Sequence, residues 1–335
     1  MKEERDRVVT YSKAIGIILM VIGHSGPPIY IRDVIYSFHM PLFFILSGYC
    51  FKESHFGHPT EFICKKIKNL YLPYVKWSVI VVTIHFFLMQ FQAYSGLFNG
   101  EYYYDLYCWI KQVLFIILTM SKTPTILGGL WFLKSLLLAS IMALFVLKYV
   151  QNFYMRYMIL LLPLFLVKFL NISNSIVDII SLAILSTVFF ITGVFFKGKV
   201  FHVKYIPIMC IIVVFCGFFF PAEMSTVSHI TSFPFILSGI CGSLTVMFFC
   251  SKINCRNSYF VEWLNFIGNN TLYILIWHML IFKLTSLIII FVYKLPFSQI
   301  VCTPVIQNLS GWWIAYVCIS MIVVIVLLYA KRKFE

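Results

Sequence analysis

Acidic residues are scarce in this chain. Asp and Glu together number 12 among 335 residues, against 26 Lys and Arg. Charge of either sign is scarce as well, at 11% of residues, where a soluble domain carries about 25%. Hydrophobic residues make up 61% and the mean hydropathy is +0.93. So little charge cannot cover a water-soluble surface, and the chain reads as an integral membrane protein. Long polar stretches are missing, which leaves no room for a separate soluble domain, and residues 1–335 read as one integral domain. Short alternating segments are missing too, which excludes a membrane β-barrel. The ten Cys are scattered singly, with no CxxC and no Cys/His cluster at zinc spacing, so no metal site is expected. No internal repeat is visible, so the signature of many transporters is lacking. No small-x-small cleavage site follows the basic start, and the first apolar run reads as a retained span.

What the chain does have is apolar runs. A bilayer core takes about 20 apolar residues per helix. Runs at 8–24, 34–51, 72–90, 130–150, 157–170, 176–196, 205–220, 230–250, 272–292 and 312–329 predict an all-α bundle of about ten transmembrane spans. The stretch 106–120, with Trp109 and Lys111, is amphipathic and is expected to be re-entrant or interfacial. Charge bias supports that reading. With Lys2, Arg5 and Arg7 inside, the Lys65–Lys68 loop is inside and the acidic Glu101/Asp105 segment outside. Only if 106–120 does not cross do the later basic loops and the Lys-Arg-Lys tail also fall inside. Both termini are then cytoplasmic. The net charge of +14 therefore answers to anionic headgroups or a phosphorylated cofactor, not to nucleic acid.

Ionisable groups at membrane depth mark function by default. Residues 7–52 hold three of them: Lys13, His24 and His39. Lys13 and His24 are eleven residues apart, close to three helical turns, so they share a face about 16 Å apart along the axis. A Lys suits a phosphate or carboxylate, and a His suits proton abstraction near neutral pH. A snorkelling Lys and a boundary His are the plain alternative. His39 begins the second run, at a depth close to that of His24. Pro41 interrupts a backbone hydrogen bond there, and the Ser47-Gly48 pair permits close helix approach. His278 lies mid-run, as an active-site group or a structural hydrogen-bonder. Trp131 and Lys134 line a cavity or anchor at the interface.

These residues fall into motifs. Lys13-x10-His24 is followed by Phe38-His39-Met40-Pro41-Leu42-Phe43-Phe44-Ile45-Leu46-Ser47-Gly48, then by Lys65-x-x-Lys68 ahead of Pro73. Later comes Gly268-Asn269-Asn270-Thr271-Leu272-Tyr273-Ile274-Leu275-Ile276-Trp277-His278. The set resembles the acyltransferase-3 family of integral membrane acyltransferases, from residue 7 to about residue 281. Leu130-Trp131-Phe132-Leu133 is similar to a motif of its fucose O-acetylase and polysaccharide O-acetyltransferase branch. The chain departs from the family at Thr10, where many members have Asp, and at Lys65 and Lys68, where the family has Arg.

The resemblance implies transfer of an acyl group, usually acetyl from acetyl-CoA, to a sugar hydroxyl of a bacterial cell-envelope glycan or its lipid-linked precursor, at the plasma membrane. A hydroxyl attacking a thioester needs a general base, and a neutral His24 suits that task; Lys13 and His39 complete the expected catalytic set. Lys65, Lys66 and Lys68, with Lys13, are the expected contacts for the anionic CoA moiety. Ser47, Trp131 and His278 are expected to line the substrate cavity. No nucleophile elbow is present, so direct transfer is expected and not a covalent intermediate. The competing reading is a transporter or flippase that exports a glycan, with the same ionisable groups along its path.

Overall fold

In the computed structural model the apolar runs are α-helices, the form that satisfies all backbone polar groups within one segment, as hydrocarbon requires. Residues 2–90, 105–120, 129–172, 174–199, 202–225, 233–253, 259–301, 304–306 and 311–334 are described, and no strand occurs among them. Glu101, Arg256 and most of 121–129 lie outside the described residues. The helices are α1 (Lys2–His24), α2 (Ile29–Tyr36), α3 (His39–Tyr49), α4 (Pro59–Lys66), α5 (Leu72–Gln90), α6 (Leu106–Thr119), α7 (Trp131–Tyr149), α8 (Phe153–Phe169), α9 (Ser175–Phe196), α10 (Ile206–Phe219), α11 (Phe233–Lys252), α12 (Tyr259–Asn269), α13 (Thr271–Tyr293) and α14 (Trp312–Phe334).

Eight stretches among the described residues are long and apolar enough to cross a bilayer. The other two expected spans are α8, of 17 residues with Pro163 inside it, and α10, of 14. At 1.5 Å per residue α10 is about 21 Å long, short of a hydrocarbon core of about 30 Å. The protein is thus a polytopic helical membrane protein.

Three local features differ from the sequence expectation. The second run is a broken helix within one stretch long enough to span, Ile29–Tyr49: α2 stops at Tyr36 and α3 restarts at His39. The stretch expected as a loop before the third run is helical, because α4 starts at Pro59 and continues through a π-helical turn (Ile67–Tyr71) into α5. Pro73 has no N–H to offer the carbonyl four residues back, and the wider π turn absorbs that gap. Third, α12 was not anticipated.

Chain contacts divide the molecule into two compact units. The first holds residues 1–23, 28–66 and 135–271. Its tightest packing sets α3 against α9. A Cβ added at Gly48 would lie 2.8 Å from the Phe190 carbonyl carbon, and one at Gly193 2.8 Å from the Ile45 carbonyl carbon. The two helices therefore touch backbone to backbone, as small residues allow in membranes. Phe44, Ile45, Phe189 and Phe190 are fully buried around the contact. Helix α8 packs on α9, α11 on α3 and α10, and α10 on α2.

The second unit holds residues 24–27, 67–134 and 272–335. Here α6 folds back along α5. Tyr71 Oη donates to the Ile117 carbonyl at 2.5 Å, and Trp109 Nε1 donates to Thr83 Oγ1 at 3.3 Å. The π turn ahead of α5 thus meets the end of α6, and the later half of α5 meets its start. The antiparallel pairing lays α6 alongside α5. Asp105 caps α6 by accepting from the Cys108 N–H. Trp77 of α5 meets Trp277 and Tyr273 of α13, with ring centroids at 5.3 and 6.3 Å. Tyr316 of α14 pairs with Ser286 of α13 at 2.9 Å and accepts from the Ile306 N–H at 3.3 Å.

Candidate active site

His24 is the last residue of α1 and belongs to the second unit. The chain leaves the helix through Gly26 at φ +76°, a left-handed conformation that favours glycine. In the same unit, α13 carries His278. The His24 and His278 rings have centroids 5.5 Å apart and are tilted by 41°. His278 is fully buried, with Phe282 edge-on to it at 5.7 Å. Its Nδ1 lies 3.0 Å from the Ile274 carbonyl and 2.9 Å from the Leu275 carbonyl. Carbonyls only accept, so Nδ1 carries the proton and Nε2 is the lone-pair nitrogen of the neutral ring. That Nε2 is buried without a hydrogen-bond partner among the described residues. Two imidazoles face each other in a setting of apolar helices, and His24 keeps partial exposure.

Trp131 stands at the start of α7, in the same unit and half-buried. The turn before it packs on α13, since a Cβ at Gly129 would meet Leu275 Cδ1 at 2.7 Å. Lys68 lies in the second unit too, exposed on the π turn.

The first unit collects cations. Lys13 and Lys65 lie close enough to Lys66 to repel its charge. Lys52, Lys65, Lys66 and Lys197 do the same to His55, on the 3₁₀ turn Glu53–Phe56. Burial first, and then those four lysines, hold the His55 ring below the usual imidazole range. Beneath them Phe51 touches His55, Phe56, Phe62 and Phe190, with centroids between 5.3 and 5.9 Å. Lys66 lies over the Phe62 and Phe190 rings at 5.4 and 5.9 Å, and Lys197 Nζ donates to the Phe51 carbonyl. Among the described residues none of Lys13, Lys52, Lys65, Lys66 and Lys197 is in an ion pair. Unneutralised cations above an aromatic floor suit a polyanion with a flat ring.

His39 and Ser47 also lie in the first unit. The break between α2 and α3 lets His39 Nδ1 reach the Ile35 carbonyl at 2.8 Å, with Tyr36 at 5.2 Å ring to ring. Tyr36 Oη in turn donates to the Gly23 carbonyl at 3.1 Å, securing the end of α1. His39 is buried and Ser47 half-buried. Expected residues thus gather in two sets, His24 with His278, and Lys13 with Lys65 and Lys66.

Three residues were missed by the sequence reading. His55 and Lys197 sit in segments read as loops, where a basic residue signals only topology. Lys283 is buried on α13 and donates to the Ile300 carbonyl at 2.8 Å. The rule that picked out Lys13, an ionisable group inside an apolar run, would have found it.

Comparison with known proteins agrees with the motifs. The profile described as an acyltransferase domain matches residues 8–330. No curated protein and no solved structure matches the chain. The profile covers nearly the whole chain, and the protein therefore belongs to the acyltransferase-3 family and is a membrane acyltransferase.

Proposed function

We propose that this enzyme is an O-acyltransferase of the plasma membrane, with both termini cytoplasmic, that moves an acetyl group from acetyl-CoA to a hydroxyl of a cell-envelope polysaccharide or its lipid-linked precursor. The observation that carries the assignment of the base is the pairing of His24 with the buried His278 at 5.5 Å. His24 takes the proton of the acceptor hydroxyl as its oxygen attacks the thioester carbon. The C–S bond breaks, and the thiolate takes the proton from His24. One ester and one free CoA thiol result. The reading needs no metal and no covalent enzyme intermediate. Lys13, Lys65 and Lys66, joined by Lys52, Lys197 and His55, meet the phosphates of the donor, and the Phe51–His55–Phe62 aromatics offer a face to its adenine. Lys68 belongs to the donor contacts by its motif alone. Ser47, Trp131, His39 and His278 are the remaining contributors, His39 and Ser47 through their shared helix α3.

The test is release of free CoA thiol from acetyl-CoA, together with ester formation on envelope polysaccharide, by the purified protein in detergent or proteoliposomes. His24→Ala is expected to lower turnover by about 10²–10⁴-fold while membrane insertion persists. Undiminished transfer by His24→Ala refutes the assignment of the base.

A further inference from the structure

We propose that His278 is the positioning residue for His24. The inference rests on the reading of His24 as the base. With Nδ1–H fixed on the Ile274 and Leu275 carbonyls, the ring of His278 has one tautomer and one orientation. Its Nε2 is left as a buried acceptor without a partner among the described residues. Buried polar atoms are nearly always satisfied, so an orphan of this kind calls for a donor. The neighbouring ring is His24, 5.5 Å away between centroids. A hydrogen bond of about 2.6–3.2 Å requires the two rings to draw together edge to edge, and catalytic hydrogen bonds are often long before substrate binds.

In that contact one ring nitrogen of His24 donates to His278 Nε2. The other nitrogen of His24 must then hold the lone pair, aimed at the acceptor hydroxyl. When His24 takes the hydroxyl proton, the imidazolium carries two N–H groups, and the one facing His278 gains a charge-assisted hydrogen bond. The carboxylate of a Ser-His-Asp triad works on its His in the same way. A neutral imidazole costs less to bury in an apolar unit than a carboxylate does. His278 never touches the reacting atoms; it acts through His24.

Two amide replacements separate this role from a structural one. The amide of Asn superposes on Nδ1 of His, and that of Gln on Nε2. His278→Gln keeps an acceptor facing His24 and is expected to retain more turnover than His278→Asn. His278→Asn keeps only the donor towards the carbonyls and is expected to lose about tenfold or more in kcat at unchanged KM for acetyl-CoA, up to the about 10²–10⁴-fold loss of the base itself. The reverse order, or equal activity of both with wild type, overturns the proposal. Should the variants fail to fold, ¹⁵N-histidine spectra of the folded protein decide. The His278 Nε2 resonance is expected at an acceptor position and should move towards a free lone-pair position in His24→Phe. No movement overturns the proposal. If His24→Ala is fully active while that resonance does move, the pair exists and the assignment of the base is what fails.

Discussion

Replacing Gly48 or Gly193 with Ala tests whether backbone contact between α3 and α9 sets the first unit. A Cβ at Gly48 would lie 2.8 Å from the Phe190 carbonyl carbon and 3.1 Å from the Val194 nitrogen, and closer still to the Phe190 carbonyl oxygen. At Gly193 the nearest atoms are again backbone, the Ile45 carbonyl and, at 2.9 Å, the Tyr49 nitrogen. Backbone cannot swing aside as a side chain can. Restoring ordinary contact at the carbonyl carbon alone opens the helix pair by at least about 0.6 Å, within the overpacking regime. A gap of that size forfeits about a quarter of each affected dispersion contact. A buried side chain makes about 50 contacts of roughly 0.15 kcal/mol, so Ile45 and Phe190 each lose about 2 kcal/mol before relaxation. The gain in helix propensity from Gly to Ala returns about 1 kcal/mol. A net loss of about 1–3 kcal/mol per single substitution follows.

The double variant is the sharper measurement. Both glycines are relieved by one opening of the same helix pair, so the second Ala meets a gap that the first has made. The double substitution is expected to cost about as much as one, with a coupling of about 1–3 kcal/mol. The assay is reversible unfolding of the four proteins in mixed micelles, with KM for acetyl-CoA beside it. Lys66 rests on Phe190, so the opening should raise KM too. Additive losses, or single substitutions within about 0.5 kcal/mol of wild type, refute the backbone contact.

Lys65→Gln and Lys66→Gln should each raise KM for acetyl-CoA about tenfold or more at constant kcat, since a hydrogen bond to a charged group is worth about 1.5–3 kcal/mol; unchanged KM in both removes the cluster from donor binding. The pKa of His55 is held below the ordinary imidazole value of 6.5, first by burial and then by Lys52, Lys65, Lys66 and Lys197. The unfolded chain therefore takes the proton first, and this contribution to stability, complete above pH 6.5, is lost as pH falls below it; unfolding profiles of wild type and His55→Gln that stay parallel from pH 7.5 to 5 refute this. Lys13→Arg should retain more turnover than Lys13→Ala, because the charge is kept; equal loss in both argues against a phosphate-orienting role.

Much of the fold was legible because its signal is local. Apolar runs of helical length marked the long helices, and the run at 72–90 coincides with α5 (Leu72–Gln90). The break at Ser37 and Phe38 was less legible. It is held by His39 on the Ile35 carbonyl and by Ser238 Oγ donating to the Ser37 carbonyl at 3.3 Å, a partner 201 residues away. No window of sequence contains that contact. The candidate site divides in the same way. Lys13, His24 and His278 stood out because charge or imidazole in an apolar run is costly wherever it lies. His55 and Lys197 did not, because a basic residue outside a span is ordinary until folding brings several together. The orphaned Nε2 of His278 was beyond reach of the sequence, since it depends on which carbonyls lie beside Nδ1.

Thr10 joins the early and late motifs. Many members of the family have Asp at this position, three residues before Lys13, where a carboxylate would sit on the same helical face and neutralise the ammonium. Thr10 instead donates its hydroxyl to the Asp6 carbonyl at 2.8 Å, so its one donor is used within α1. Its backbone and methyl press on Gly268, the first residue of the late motif; a Cβ there would meet Thr10 Cγ2 at 2.7 Å. Position 10 thus serves packing between α1 and α12. Among the described residues no carboxylate pairs with it, and its field reaches Lys66. Where an acid at position 10 would pair one cation of the cluster, none of Lys13, Lys52, Lys65, Lys66 and Lys197 is in an ion pair among the described residues. Substituting Lys for the Arg of the basic motif lowers the hydrogen-bonding reach of each cation, since an ammonium cannot grip a phosphate in bidentate fashion. The departures at Thr10 and Lys65 therefore act in opposite directions on the cation cluster of the first unit. Geometry of grip is given up at Lys65, and among the described residues the positive charge of Lys13 is left without a carboxylate partner.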